Sequence, residues 1–156
     1  MKKLGSILFV VSILLFVSCN SDDDDITISN KTIAGHWQSV TSHGYSINLN
    51  TGEKTEYDEK PNESLSLKLY DDGTCSKGST NGTYKLLGKE LDIFLSYYHS
   101  MLQKEISWTE NYTIDDFSSN KMVLSIIQHI IQHGTSGGSD PIYYESKTTY
   151  MMKKVN

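Results

Sequence analysis

The chain has 156 residues, with 14 Lys, no Arg, 19 acidic residues and a net charge of −5. An acidic chain without arginine lacks the guanidinium fork that reads phosphates and base edges, which excludes nucleic acid as a partner. Ten Tyr, two Trp and only two Pro suit half-buried strands, and no long run of helix formers recurs at a 3.6-residue period.

The chain opens on Met1-Lys2-Lys3 and continues into an apolar run from Leu4 to Val17. That run is 14 residues long, short of the ~20 that a membrane-spanning helix needs. A basic start, an apolar middle and the small-residue exit Val17-Ser18-Cys19 describe a secretory signal. A cysteine at that exit resembles the lipobox of bacterial lipoproteins. The resemblance implies that residues 1–18 are removed and that Cys19, lipidated, becomes the N-terminus and the membrane contact. A Cys19–Cys75 disulfide is the competing arrangement for a secreted chain. With Cys19 acylated, Cys75 is left single and reduced, a small buried or semi-buried filler.

Ser21 and the run Asp22, Asp23, Asp24, Asp25 follow. Adjacent like charges repel and cannot pack, so residues 19–31 read as an extended, solvated tether. The same run resembles the acidic export signal of Bacteroidetes surface lipoproteins, which implies an outer-membrane lipoprotein exposed at the cell surface; a plain spacer is the other reading. As a calcium loop it lacks the required Gly and terminal Glu.

From Thr32 to Asn156 the chain reads as one domain of short strands and turns. Thr32 to Val40 and His43 to Leu49 are expected as two separate strands, with Glu53 to Tyr57 returning after Asn50-Thr51-Gly52. Ser64 to Tyr70 alternates, Leu65, Leu67 and Leu69 against Ser64, Ser66 and Lys68. Asp71-Asp72-Gly73 turns into Thr74 to Lys77, Ser79 to Gly82 turns again, and Tyr84 to Leu87 with Glu90 to Tyr98 form a hairpin around Gly88-Lys89. His99 to Lys104 is a short helical turn or a wide loop. Glu105 to Ile114 sets Ile106, Trp108, Tyr112 and Ile114 against Ser107, Thr109, Asn111 and Thr113. Lys121 to Gln132 is rich in Ile and Val, His133 to Pro141 is a loop, and Ile142 to Lys153 is the last strand.

Eight to ten strands joined by local turns predict an all-β, up-and-down antiparallel sheet, and closing it into a barrel of about eight strands removes both exposed edges. Gly35-His36-Trp37 resembles the Gly-x-Trp opening of lipocalins. Tyr70-Asp71-Asp72-Gly73-Thr74 with Asn81-Gly82-Thr83-Tyr84 is similar to lipocalin-like domains of Bacteroidetes lipoproteins. The resemblance implies a lipocalin-like barrel over 32–156, with Gly35 and Trp37 at its closed end. A basic residue of the last strand should cover the indole. Without arginine, Lys153 or Lys154 must supply it.

Trp108, Tyr84, Tyr97, Tyr112 and Tyr144 are candidates for an aromatic pocket that takes a small apolar or amphipathic ligand, with core filling as the alternative for each. His129 and His133 share a face at a four-residue spacing, but on a strand they stand some 13 Å apart with no third ligand at a diagnostic spacing, so no metal site and no cofactor are expected. Glu90, Asp92, Glu105 and Glu110 read as solvated strand faces. No catalytic motif is present, so an enzyme is not expected. The other function class is a surface lipoprotein that contacts a protein or glycan through its loops.

Overall fold

The structure, a computed structural model, describes residues 27–59, 65–132 and 141–155. The leader, Cys19, Ser21, Asp22 to Asp25, Asn62-Glu63-Ser64 and the 133–140 loop with His133 lie outside the described residues.

The architecture is a closed eight-stranded antiparallel barrel with a ninth strand added at one end. A helical turn, α1 (Asn30–Ile33), leads into β1 (Gly35–Asn48), β2 (Lys54–Glu59), β3 (Ser66–Leu69), β4 (Thr74–Lys77) and β5 (Thr80–Leu87). Then come β6 (Glu90–His99), β7 (Lys104–Phe117), β8 (Lys121–Gln132) and β9 (Ile142–Val155). Each of β4 to β9 pairs with its predecessor, β3 pairs with β1, and β9 returns to pair with β1 along nearly its whole length, from His36↔Val155 to Asn48↔Tyr144. β1 serves two neighbours in succession on its other edge. Gly35 to Gln38 pair with β3, and Ser42 to Ile47 pair with β2.

Three expectations are corrected here. The segment Thr32 to Val40 is not all strand, because Ser29 caps a helical turn. Its hydroxyl accepts from the Thr32 N–H at 3.3 Å, and the Thr32 hydroxyl accepts from the Ser29 N–H at 2.9 Å, the reciprocal bonding of a capping box. The expected break between Val40 and His43 is instead a bulge. The register against β9 slips between Ser39 and Thr41, and the strand runs on. Thr41-Ser42-His43 has no Gly, Pro, Asn or Asp, and one extra residue is absorbed by local twist rather than by a loop. Similarly, Thr80 to Gly82 belong to β5, the turn sitting at Gly78-Ser79.

The core fills the closed half of the barrel. Leu67, Leu69, Leu91, Ile93, Leu95, Ile114, Met122, Leu124 and Met152 are almost fully buried and share the inward phase of their strands. Cys75, free and buried, packs among them. Ile33 and Trp37 seal the end. The Trp37 indole N–H donates to the Ile33 carbonyl at 2.8 Å, and its ring meets Phe117 at 5.9 Å. Of the two lysines named above, it is Lys154 whose Nζ stands 5.3 Å from the centre of the Trp37 ring. Gly35 makes this possible, since a Cβ there would collide with the Lys154 stem, and its φ of 150° is one that side chains rarely adopt. The Gly-x-Trp pattern thus has a local cause: glycine lets the cation cross to the indole.

Candidate functional site

Above the core the barrel opens. Pairing between β7 and β8 ends at Tyr112↔Ile126. Beyond it, Lys104 to Asn111 pair only with β6, and Ile127 to Gln132 only with β9. The wall at β3 and β4 is low because those strands are four residues each. The open half is therefore two arms: the β6–β7 hairpin and the four-stranded sheet β8–β9–β1–β2.

The inward face of the hairpin carries the densest polar cluster. Lys77 Nζ donates to both Glu110 carboxylate oxygens at 2.7 and 2.6 Å, and lies 3.4 Å from the Tyr112 hydroxyl. The Tyr112 hydroxyl donates to Glu110 at 2.7 Å, and the Trp108 indole N–H donates to it at 3.1 Å. The Glu110 side chain keeps only 13% of its surface exposed. This corrects the reading of Glu110 as a solvated group. Burial alone would raise its pKa, but the bonds from Lys77, Tyr112 and Trp108 and the Lys77 charge outweigh that and hold the carboxyl below its ordinary range. Burial, then the adjacent Glu110 carboxylate, pushes the Tyr112 phenol upward.

Trp108 and Tyr97 stand at the rim of this cluster. Their rings meet edge to face at 5.9 Å and 76°, the geometry favoured by aromatic quadrupoles, and both are partly open to water. On the other face of the hairpin, a concavity of about 600 Å³ is lined by Phe94, Ser96, Glu105 and Ser107, which are in the strand phase opposite to Trp108.

On the other arm, the Tyr57 hydroxyl is 2.8 Å from the Thr148 hydroxyl and 3.3 Å from that of Ser146. It crosses β1 at Gly44, where a Cβ would strike the phenol and the Lys147 carbonyl. Tyr144 stands on this arm, in register with Ile130 and Asn48.

Of the five aromatic candidates, the structure joins Trp108 and Tyr97 directly and Tyr112 to them through Glu110. It leaves Tyr144 on the opposite arm. Tyr84 is a wall residue: its hydroxyl donates to the Tyr70 carbonyl at 2.6 Å, and burial, followed by Asp72 and Asp71, pushes its pKa up to about 12. Lys77, Glu110 and Tyr57 were not among the candidates. Glu110 is in phase with Trp108, Tyr112 and Ile114, so the alternation of β7 already held its direction. Lys77 is likewise in phase with Cys75. Tyr57 had no such signal, since its position follows from the appended β2. His129 approaches Glu145 at 3.6 Å, and among the described residues no group of three His, Cys, Asp or Glu could hold a metal.

Compared with known proteins, the chain matches no family model, no curated protein and no solved structure. The class therefore rests on the fold: an eight-stranded antiparallel barrel, compatible with a lipocalin-like one.

Proposed function

We propose that this chain is a lipid-anchored lipocalin-like protein of the cell envelope that holds a small apolar or amphipathic ligand at its split mouth. The observation that carries the reading is the Trp108–Tyr97 pair, partly open to water and standing directly on the Lys77–Glu110 ion pair. An apolar surface beside a fixed polar group suits a molecule with one greasy and one polar part. The closed half is packed with side chains, so the ligand sits between and along the arms rather than deep in the barrel. The anchor reading rests on the residues from Met1 to Asp25, which place Cys19 at the exit of a signal and an acidic run behind it.

The test of binding uses the chain without residues 1–18 and a fluorescent fatty-acid analogue. Binding is read from the probe's own emission, excited directly, which brightens in an apolar surround and needs neither Trp37 nor Trp108 as a donor. Saturable brightening, lost in Trp108→Ala while the fold persists, supports the reading; undiminished binding by that variant overturns the site. The anchor is tested by the mass of the mature N-terminus: an unmodified Cys19 rejects it. Replacing Asp22 to Asp25 by Ala and shaving intact cells with protease then separates export signal from spacer.

The second reading, a surface interaction protein, is favoured by the β6–β7 tip, where Tyr98, Met101 and Leu102 are exposed. Recovery of a stable protein or glycan partner with no released small molecule would select it.

A further inference from the structure

Among the described residues, the upper part of β8 is a strand edge without a neighbour. Ile127 to Gln132 pair with β9 on one side, and among the described residues no strand pairs with the other side. Ile127, Ile130 and Ile131 leave about half of their surface in water. Proteins normally guard such an edge with charge, proline or a bulge. Ile127-Gln128-His129-Ile130-Ile131-Gln132 has no Lys, Asp, Glu or Pro, although the whole chain is charged at −5. The corresponding free edge of β7 is different, carrying Lys104, Glu105 and Glu110 within Lys104 to Asn111.

The segment is also self-complementary. If an antiparallel copy is centred on His129, Ile127 stands opposite Ile131 and Ile131 opposite Ile127. Gln128 then faces Ile130, Ile126 faces Gln132, and His129 faces itself. Strand alternation puts Ile127, His129 and Ile131 on one face, so the apolar pairs of both copies form one stripe with the histidines at its centre. A two-fold axis through His129 requires this reciprocity of every contact. No charge on either edge opposes it.

We propose that β8 is a homodimer edge, at which two copies pair antiparallel through Ile126 to Gln132 and join their β8–β9–β1–β2 sheets into one continuous eight-stranded sheet. The occupant is a second copy because pairing this edge with its own reverse sets Ile127 against Ile131 twice on one face and opposes no Lys, Asp or Glu. The three isoleucines offer on the order of 300 Å² of apolar surface per copy. With the hydrogen-bond row and the Gln and His side chains from both copies, the interface approaches the ~1,000 Å² that a specific contact needs. β8 runs from the closed end to the open end, so the two barrels meet at their open ends with their sealed ends pointing apart.

Site-directed cross-linking of the full chain in mild detergent tests this, because opposed residues of an antiparallel pair have Cα atoms about 4.5–5.5 Å apart, within disulfide reach. His129→Cys, which faces itself, should form at least about tenfold more disulfide-linked dimer under mild oxidation than the parent or Ile127→Cys, whose copies face Ile131 instead. Adding Ile131→Lys, at an exposed position whose folding is checked by circular dichroism, should reduce that dimer at least about tenfold. Ile127→Lys should do the same if Ile131→Lys fails to fold. Equal cross-linking of all three chains, an unlinked His129→Cys, or indifference to the lysine substitutions would overturn the pairing. Capture of a different protein on this edge with no homodimer would also overturn it.

Discussion

The closed and open halves of this barrel are built from the same strands under different rules. Below Tyr112 and Ile126, every strand has two neighbours and the inward residues are almost all apolar, Ser39 being a buried exception, so removing a large side chain there leaves a cavity. Above them, the strands divide into two arms whose inward faces mix polar, aromatic and aliphatic side chains, Glu110, Trp108, Ile106 and Ile130 among them, and are partly wet. Order in the lower half comes from area removed from water; order in the upper half comes from a few specific bonds, chiefly Lys77–Glu110 and Tyr57–Thr148. A single long strand such as β7 can thus serve as core at one end and as display at the other.

The sharpest test of that contrast is Trp37→Ala. It empties a fully buried site beneath the cation of Lys154, and should cost about 3–5 kcal/mol in denaturant unfolding. Next, Lys77→Met strands the Glu110 carboxylate. The loss should be about 2 kcal/mol, below the value for a fully buried pair because 31% of the Lys77 side chain is exposed. Glu110→Gln added to it should recover part of that loss, which a double-mutant cycle measures.

The pair also sets a pH dependence. The folded pKa of Glu110 lies below its unfolded value, so its contribution is complete above the ordinary carboxylate range and is lost as pH falls through the folded pKa. Acid titration of stability should therefore be shallower in Glu110→Gln than in the parent. Gly44→Ala, which forces the Tyr57 phenol off Thr148, should cost about 1–3 kcal/mol, and Tyr57→Phe about 1 kcal/mol. Trp108→Ala should change stability least, by under about 1 kcal/mol, because its ring is at the rim. A loss there as large as that of Trp37→Ala would erase the distinction between the halves.

Strand phase was legible wherever a strand is half buried. The Leu65, Leu67, Leu69 alternation and the Leu91, Ile93, Leu95 face hold in the structure, because a one-residue slip would have put leucine in water. The continuity of β1 was not legible. Ser42 to Ile47 pair with β2 on one edge and β9 on the other, and no local pattern announces that a strand will change neighbours. Glu110 was misread for another reason: a carboxylate looks like a surface residue until its cation is placed, and Lys77 is 33 residues away in sequence. Alternation could orient Trp108, Tyr97 and Tyr112, which the structure brings together. Those fixed by distant pairing, Lys77 and Tyr57, were not.

The seam between β1 and β9 sets the order of events in folding. His36 pairs with Val155 and Trp37 with Lys154, so the earliest strand waits for the latest one. Until β9 arrives, β1 and β8 each have a bare edge, and the indole that seals the barrel lacks its cation. The loop entropy of joining strands so far apart in sequence must be met before that contact returns anything. Refolding should accordingly be slow for a chain of this size, with Trp37 among the last groups to reach its native fluorescence.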